Sequence, residues 1–411
     1  MTGWPFRMKG WAAQDDKCRV YNDIYMNNSI LISAGERSGD IHAANLIENL
    51  KKLDPDLDFF GIGSEKMQSA GVELVERMDR LSIIGFSGIA SNLGRIRGIY
   101  NKILEKVKKN PPLGAILVDY PGFNLILARA LKKRGIPVIY YITPQVWAWG
   151  AFRIRTIKKC VDKAIVILAF EEKIFRDHGI DATFVGHPIL DSEKKGSPGR
   201  KSLGLDENKT TLALLPGSRE SEVKNLLPVM LGAAAVMLKK RQSLQFILLE
   251  SSGVSDDIYS NILKGCRISP AIIKDDTRGC LSISDFVFTA SGTATLECAI
   301  MEKPALVTYK LPFLSFCLAK IFAKTKKPIV GKKRRIGLVN IIAGKLVVPE
   351  ILQYAATPQR LASEALSIIS SGEKMKKQVE GLRQVKNALG PNGASARAAK
   401  IINDFLIGTV K

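Results

Sequence analysis

Ala115-Ile-Leu-Val-Asp-Tyr-Pro-Gly-Phe-Asn-Leu-Ile-Leu-Ala-Arg-Ala-Leu131 is the stretch of this sequence that decides its architecture. Ala115 to Tyr120 begins as an unbroken apolar run, the pattern of a strand buried on both faces. From Phe123 the period changes. Phe123, Ile126, Leu127, Ala130 and Leu131 fall at i, i+3, i+4, i+7 and i+8, which is one face of a helix. Pro121 suits the first turn of that helix and Gly135 its stop. A buried strand running directly into an amphipathic helix is half of a βαβ unit, and such units build parallel sheets covered on both faces.

The alternation extends in both directions. Ser29 to Ser33 is a short apolar run, Ala34-Gly-Glu-Arg-Ser-Gly-Asp40 reads as a turn, and Ile41 to Lys52 as a helix. Phe59–Gly63, Pro137–Ile142 and Lys163–Leu168 read as further strands. Pro188, Pro198, glycines and charges then break the pattern over residues 188–203. It restarts with strands at Thr211–Leu215, Phe246–Leu249, Ser284–Ala290 and Pro304–Thr308, with a helix from about Thr293 to Met301. The expected fold class is α/β. Two Rossmann-like domains, 29–190 and 204–390, are joined by a linker at 191–203, with a ligand cleft between them. Residues 1–28 read as an extension outside both domains, disordered or lying upstream of the true start, since Met26 stands just before the first strand.

Composition narrows the partners without choosing one. The 411 residues hold 61 Lys plus Arg against 39 Asp plus Glu, a formal charge of +22. That excess attracts nucleic acid, phosphorylated small molecules or anionic lipid. Cys18, Cys160, Cys266, Cys280, Cys298 and Cys317 form no CxxC pair, as expected of reduced thiols in a cytosolic protein. With three histidines and no clustered Cys/His motif, no metal site and no cofactor are expected. No apolar run reaches the ~18–20 residues that span a bilayer, and residues 1–28 lack the apolar core of a signal peptide.

Several turns carry candidate chemistry. Leu215-Pro-Gly-Ser-Arg219 follows a strand, so its backbone N–H groups, Ser218 and the Arg219 guanidinium suit a phosphate. In Ala290-Ser-Gly-Thr-Ala-Thr-Leu-Glu297, small residues Ser291, Gly292 and Thr293 let a diphosphate approach the start of a helix, and Glu297 is placed to accept ribose hydroxyls. Ser38 and Gly39 form a similar, less specific turn, either an acceptor-phosphate site or structure alone. Asp119 closes an apolar strand at the edge where open α/β sheets bind ligands. It is either the cap of the following helix or a general base for a sugar hydroxyl. Trp147 and Trp149 either stack on a sugar ring or anchor their loop. His42 reads as a solvated helix residue.

In combination with Val118-Asp-Tyr-Pro-Gly-Phe-Asn124, Thr143-Pro-Gln-Val-Trp-Ala-Trp149 and Val185-Gly-His-Pro188, these turns make the chain resemble the lipid-A-disaccharide synthase family from about Ile30 to its C-terminus. The resemblance implies a GT-B fold and an inverting glycosyl transfer in lipid A biosynthesis of a Gram-negative bacterium. UDP-2,3-diacylglucosamine is the implied donor and 2,3-diacylglucosamine 1-phosphate the implied acceptor, giving a β-1,6-linked disaccharide 1-phosphate and UDP. It implies Asp119 as base, Arg219 and Glu297 on the UDP side, and Asn340 in a substrate-binding loop. By analogy with GT-B chains, a helix within 391–411 packs back on the N-terminal domain. Arg37, Tyr120-Pro-Gly122 and Gly337-Leu-Val339 depart from the family pattern.

Acylated substrates require a membrane. Phe313, Leu314, Phe316 and Leu318 alternate with Lys320 and Lys324, the composition of an interfacial segment. Leu81–Tyr100 is a second candidate, equally well read as a buried helix. The expected location is cytoplasmic and peripheral on the anionic inner-membrane surface, with no nucleic acid bound and a homo-oligomer left open. Two rival readings remain at this level. One is another UDP-sugar enzyme of the same fold, a MurG-like transferase or an epimerase. The other is a non-enzymatic basic protein that binds membrane or nucleic acid, although the run Lys332-Lys-Arg-Arg335 contains no aromatic platform.

Overall fold

The computed structural model describes residues 28–77, 89–149, 152–191, 199–310 and 335–410. The expected extension at 1–27, the membrane-contact candidates Phe313, Leu314, Phe316, Leu318, Lys320 and Lys324, and the first part of Leu81–Tyr100 lie outside these residues. The chain divides into two compact units. One ends at Asp191 and resumes at Pro391, and the other comprises the residues between, up to Gly390.

The first unit is a parallel seven-stranded sheet made of β1 (Ser29–Ala34), β2 (Asp58–Gly63), β3 (Val72–Arg77), β4 (Gly114–Val118), β5 (Val138–Tyr141), β6 (Lys163–Val166) and β7 (Ala182–Phe184). Their order is β3-β2-β1-β4-β5-β6-β7. Strand residues are buried on both faces, which is why they read as continuous apolar runs. Leu31, Ala115 and Leu117 pack with Ile99, Ile103, Leu127, Leu131 and Ile157 from helices on one side. Ile30, Ile32, Ile116 and Val118 pack with Leu46, Ile47, Ala398 and Ile402 on the other. The strand order reverses between β1 and β4, and their register pairs Ala34 with Val118. The turns that follow these two strands are therefore neighbours, at the crevice where this topology binds ligands.

The second unit repeats the plan with β8 (Thr210–Leu215), β9 (Leu244–Glu250), β10 (Ala271–Lys274), β11 (Phe286–Ala290), β12 (Ala305–Tyr309) and β13 (Glu350–Leu352). The order is β10-β9-β8-β11-β12-β13, all parallel. The reversal falls between β8 and β11, with Leu215 paired to Thr289. Helix Glu220–Lys240 is long and apolar enough to cross a membrane. Its Leu226, Leu227, Met230 and Met237 are instead fully buried in this unit.

Two local expectations change. The helix after β1 begins at Arg37, four residues before Ile41. Asp40, read as the end of a turn, lies in this helix, and its carboxylate accepts from the N–H groups of Ser64, Lys66 and Met67 at the start of the next helix. His42 is only partly exposed. Its Nδ1 is buried without a partner, and burial pushes the ring down to about 4. Among the described residues, Thr143 also buries a hydroxyl without a partner.

The C-terminal helix Ala394–Val410 packs on helix Arg37–Leu53. The Asp191 carboxylate accepts from the N–H groups of Gly393, Ala394 and Ser395 at 2.7, 3.2 and 2.8 Å. It satisfies orphan donors and meets the positive end of the helix dipole. Arg397 adds two hydrogen bonds to the Val185 carbonyl. Asp191→Ala is expected to cost ~1–2 kcal/mol and to lower the melting temperature by several degrees. An unchanged melting curve would show that Arg397 alone holds the start of this helix.

Candidate active site

Asp119 and Tyr120 both take the left-handed backbone conformation, with φ of 47°. Two consecutive non-glycine residues there store strain, roughly 1–3 kcal/mol each. The neighbours hold that turn in place. Asn124 donates to the Asp119 carbonyl at 2.8 Å and to Val118 and Ser33 carbonyls, and it accepts from the Ser33 hydroxyl at 2.8 Å. The Tyr140 hydroxyl donates to the same Asp119 carbonyl at 2.6 Å. The turn re-aims the chain from strand into helix Pro121–Lys132. Tyr120, not Asp119, occupies the cap position of that helix, and no side chain caps it.

Burial pushes the Asp119 carboxyl up to about 6, and the Glu36 carboxylate adds to the rise against a backbone hydrogen bond from Tyr120. A base poised near neutrality is what proton abstraction from a hydroxyl needs. Glu36 stands at the cap of helix Arg37–Leu53 without capping it. Its influence on Asp119 follows from the β1–β4 pairing and has no signal in sequence alone. Gly35 is similar. A Cβ there would lie 2.1 Å from Cγ of Tyr120, so the turn after β1 and the turn after β4 touch. Ser38 is exposed in the first turn of the helix, whereas Gly39 is buried. A Cβ at Gly39 would make ordinary contacts with Ala34 and Val118, so that glycine packs the helix against the two strands.

Trp147 is an anchor. It is buried, donates from Nε1 to Glu171 at 2.9 Å and meets Phe170 edge-on at 5.2 Å between centroids. Burial pushes the Glu171 carboxyl up to about 7 although Trp147, Leu168 and Ile167 all donate to it. The Trp149 side chain lies outside the described residues.

In the second unit, Gly217 has φ of 115° and its N–H neighbour Ser218 donates to Glu222 at 3.2 Å. Arg219 opens helix Glu220–Lys240 with an exposed side chain, 3.5 Å from the Glu222 carboxylate. In the turn after β11, the Ser291 hydroxyl donates to the Ile336 carbonyl at 2.9 Å. Gly292 has φ of 155°, and a Cβ built on it would meet nothing within 4 Å. Among the described residues the space over this turn is open, and Thr293 is exposed beside it. Burial pushes the Glu297 carboxyl up to about 7, against Arg278 and a hydrogen bond from Thr277.

Asn340 requires a correction. It is fully buried. Its amide donates to the Val348 carbonyl and the Glu350 carboxylate, and its oxygen accepts from the Val347 and Val348 N–H groups. All four hydrogen-bonding positions of the amide are used within the chain, so it shapes its loop and offers nothing to a substrate. Among the described residues, no group of three or more His, Cys, Asp or Glu is placed to hold a metal.

Two parallel sheets, each with small-residue turns and a raised carboxylate near its point of reversal, define a nucleotide-sugar enzyme of the GT-B class. The comparisons name the family. Residues 30–403 match the family model for lipid-A-disaccharide synthetase. A lipid-A-disaccharide synthase of Syntrophus aciditrophicus is 41% identical over 378 residues, 90% of this chain and 96% of that protein. One of Myxococcus xanthus is 36% identical, over 92% of this chain and 97% of the relative. This chain belongs to the lipid-A-disaccharide synthase family, and it is a glycosyltransferase. Among solved structures, a putative UDP-N-acetylglucosamine 2-epimerase from Listeria monocytogenes aligns with a TM-score of 0.61 at 14% identity, covering 93% of this chain and 97% of that one. The glycotransferase of kitacinnamycin aligns with a TM-score of 0.61 at 15% identity, covering 92% and 99%. At such identities these two share the fold alone.

Proposed function

We propose that the acceptor, 2,3-diacylglucosamine 1-phosphate, binds at the turns of the first unit and the donor, UDP-2,3-diacylglucosamine, at those of the second. The Asp119 carboxylate takes the proton of the acceptor 6-hydroxyl. The oxygen attacks the anomeric carbon of the donor from the face opposite UDP, the bond from that carbon to the diphosphate breaks, and configuration inverts. The charge released on UDP is met by Arg219 and by the backbone N–H groups around Ser291, Gly292 and Thr293. The observation that carries this reading is Asp119, a carboxyl raised to about 6 at a strand end beside the sheet reversal. Incubation with both acylated substrates tests it. Equal amounts of UDP and disaccharide 1-phosphate are expected by mass spectrometry, and no product from folded protein would sink it.

We also infer that the enzyme works as a peripheral protein on the cytoplasmic face of the inner membrane. Its substrates carry acyl chains, and the segment around Phe313 to Lys324 has interfacial composition. Residues 120–161 hold eight basic residues and no acid. Within them Ile126 is 50% and Phe152 58% exposed. Apolar side chains standing out among cations suit an anionic lipid surface. The protein is expected to sediment with phosphatidylglycerol-containing vesicles at low salt and to be released at high salt. Equal sedimentation with purely zwitterionic vesicles would count against a charge-led attachment.

A further inference from the structure

The acceptor assigned above carries a phosphomonoester at C1, and the residues described around Asp119 include no cation to meet it. Arg153 stands one side chain beyond. The Tyr140 hydroxyl that donates to the Asp119 carbonyl feels both the Asp119 carboxylate and the Arg153 guanidinium, which act on it in opposite directions. The geometry agrees: β5, which carries Tyr140, pairs with β4 beside Asp119, and Arg153 opens the helix between β5 and β6 on this sheet. Of the eight basic residues between 120 and 161, Arg129, Lys132, Lys133, Arg134, Arg155, Lys158 and Lys159 are exposed, and Arg153 alone is half-buried.

Arg153 is also underused. Its guanidinium lies over the Phe152 ring, 5.5 Å from the centroid. Among the described residues it makes no ion pair and no hydrogen bond. Among the described residues, the ring contact leaves its five N–H donors unspent. Of the other cations nearby, Arg129 donates to Thr156 at 2.7 Å and Lys132 pairs with Asp162. Arg153 is moreover the first residue of helix Arg153–Cys160, which has no acid in its first turn. A cation there faces the positive end of the helix dipole. A half-buried guanidinium with no anion among the described residues, at the helix end that disfavours it, is an arrangement that an anionic ligand relieves.

We propose that Arg153 binds the 1-phosphate of the acceptor sugar and so turns its 6-hydroxyl toward Asp119. The inference rests on the function proposed above. In a pyranose the anomeric carbon and the carbon bearing the hydroxymethyl group flank the ring oxygen. A phosphate held at Arg153 therefore leaves O6 about one ring-width away, on the Asp119 side of Tyr140. The guanidinium fork accepts a phosphate through two parallel hydrogen bonds, which fixes orientation as well as affinity.

The test compares wild type, Arg153→Ala and Arg153→Lys with two acceptors in neutral detergent micelles. One acceptor is 2,3-diacylglucosamine 1-phosphate and the other is the same sugar without the phosphate. Wild type is expected to prefer the phosphorylated acceptor in kcat/KM by on the order of 10–100-fold. Arg153→Ala is expected to lose that preference, falling by this factor with the phosphorylated acceptor and changing little with the other. Its KM for the UDP-sugar stays at the wild-type value, and Arg153→Lys lies between. An equal fall with both acceptors overturns the inference, because it means that Arg153 supports the fold or the Asp119 turn. So does a loss that appears only when phosphatidylglycerol is added, which assigns Arg153 to the membrane surface. Wild type that yields no disaccharide with the phosphorylated acceptor sinks the functional reading itself. Wild type that works, beside a variant that still discriminates, removes only the role of Arg153.

Discussion

Asp119→Asn is expected to lower kcat on the order of 10²–10⁴-fold, the usual contribution of a positioned general base, while the KM for the UDP-sugar holds. The amide keeps the shape of the side chain and cannot take a proton at neutral pH. The wild-type rate should also fall as pH drops through about 6, where the raised Asp119 carboxyl gains its proton. That limb should be missing from the residual activity of the variant. The stability effect has the opposite sign. Because burial raises the folded-state value from 3.8 to about 6, the ionised group opposes folding. The penalty is absent below the unfolded value, grows between the two, and is complete above about 6. Asp119→Asn should therefore be more stable than wild type at pH 7.5, by roughly 1–3 kcal/mol, with the gap closing toward pH 4. A variant with wild-type turnover, or a flat acidic limb in wild type, would rule Asp119 out as the base.

Gly35→Ala should be nearly as damaging, though Gly35 touches no substrate in the scheme above. The new methyl carbon would sit 2.1 Å from Cγ and 2.2 Å from Cδ1 of Tyr120, inside any allowed contact. Tyr120 is the left-handed residue directly after Asp119, so moving its ring moves the base. A displacement of about an ångström at a reacting group costs on the order of 10²-fold in rate, and overpacking costs ~1–3 kcal/mol of stability. The attribution can be checked with a double-mutant cycle. In a Tyr120→Gly background the alanine at 35 meets neither the ring nor the Cβ of residue 120, which would lie 2.7 Å away, and its further effect should be small. Additive losses would show that Gly35 matters for another reason.

The βαβ plan was legible because Ala115–Leu131 changes from a continuous apolar run to a helical period within a few residues. Asp119 stood out because a carboxylate closes that run. What the sequence could not reveal was adjacency. Glu36, Gly35, Asn124 and Tyr140 act on Asp119 because β1, β4 and β5 lie side by side with Ala34 level with Val118 and Val118 with Tyr141, and strand order is a tertiary fact. Asn340 was misjudged for a related reason. A motif match places the residue in a loop, but only the fold shows that its amide faces Val347, Val348 and Glu350. The Arg37–Asp40 segment has turn composition, yet the N–H groups of Ser64, Lys66 and Met67 draw Asp40 into another task and leave the helix free to start early. Trp147 had two readings of equal weight until its Nε1 was found on Glu171.

The attachment of helix Ala394–Val410 to the first unit has a consequence for how the protein comes into being. Ala398, Ala399, Ile402 and Leu406 close over Ile30, Ile32, Ile116 and Val118, yet almost the whole second unit is made before them. A ribosome therefore releases the first unit with one apolar face covered only in part, by helix Arg37–Leu53, and the rest of that face waits for helix Ala394–Val410. β4, which carries Asp119 at its end, is one of the strands left waiting. A growing chain thus exposes the kind of surface on which holdase chaperones act.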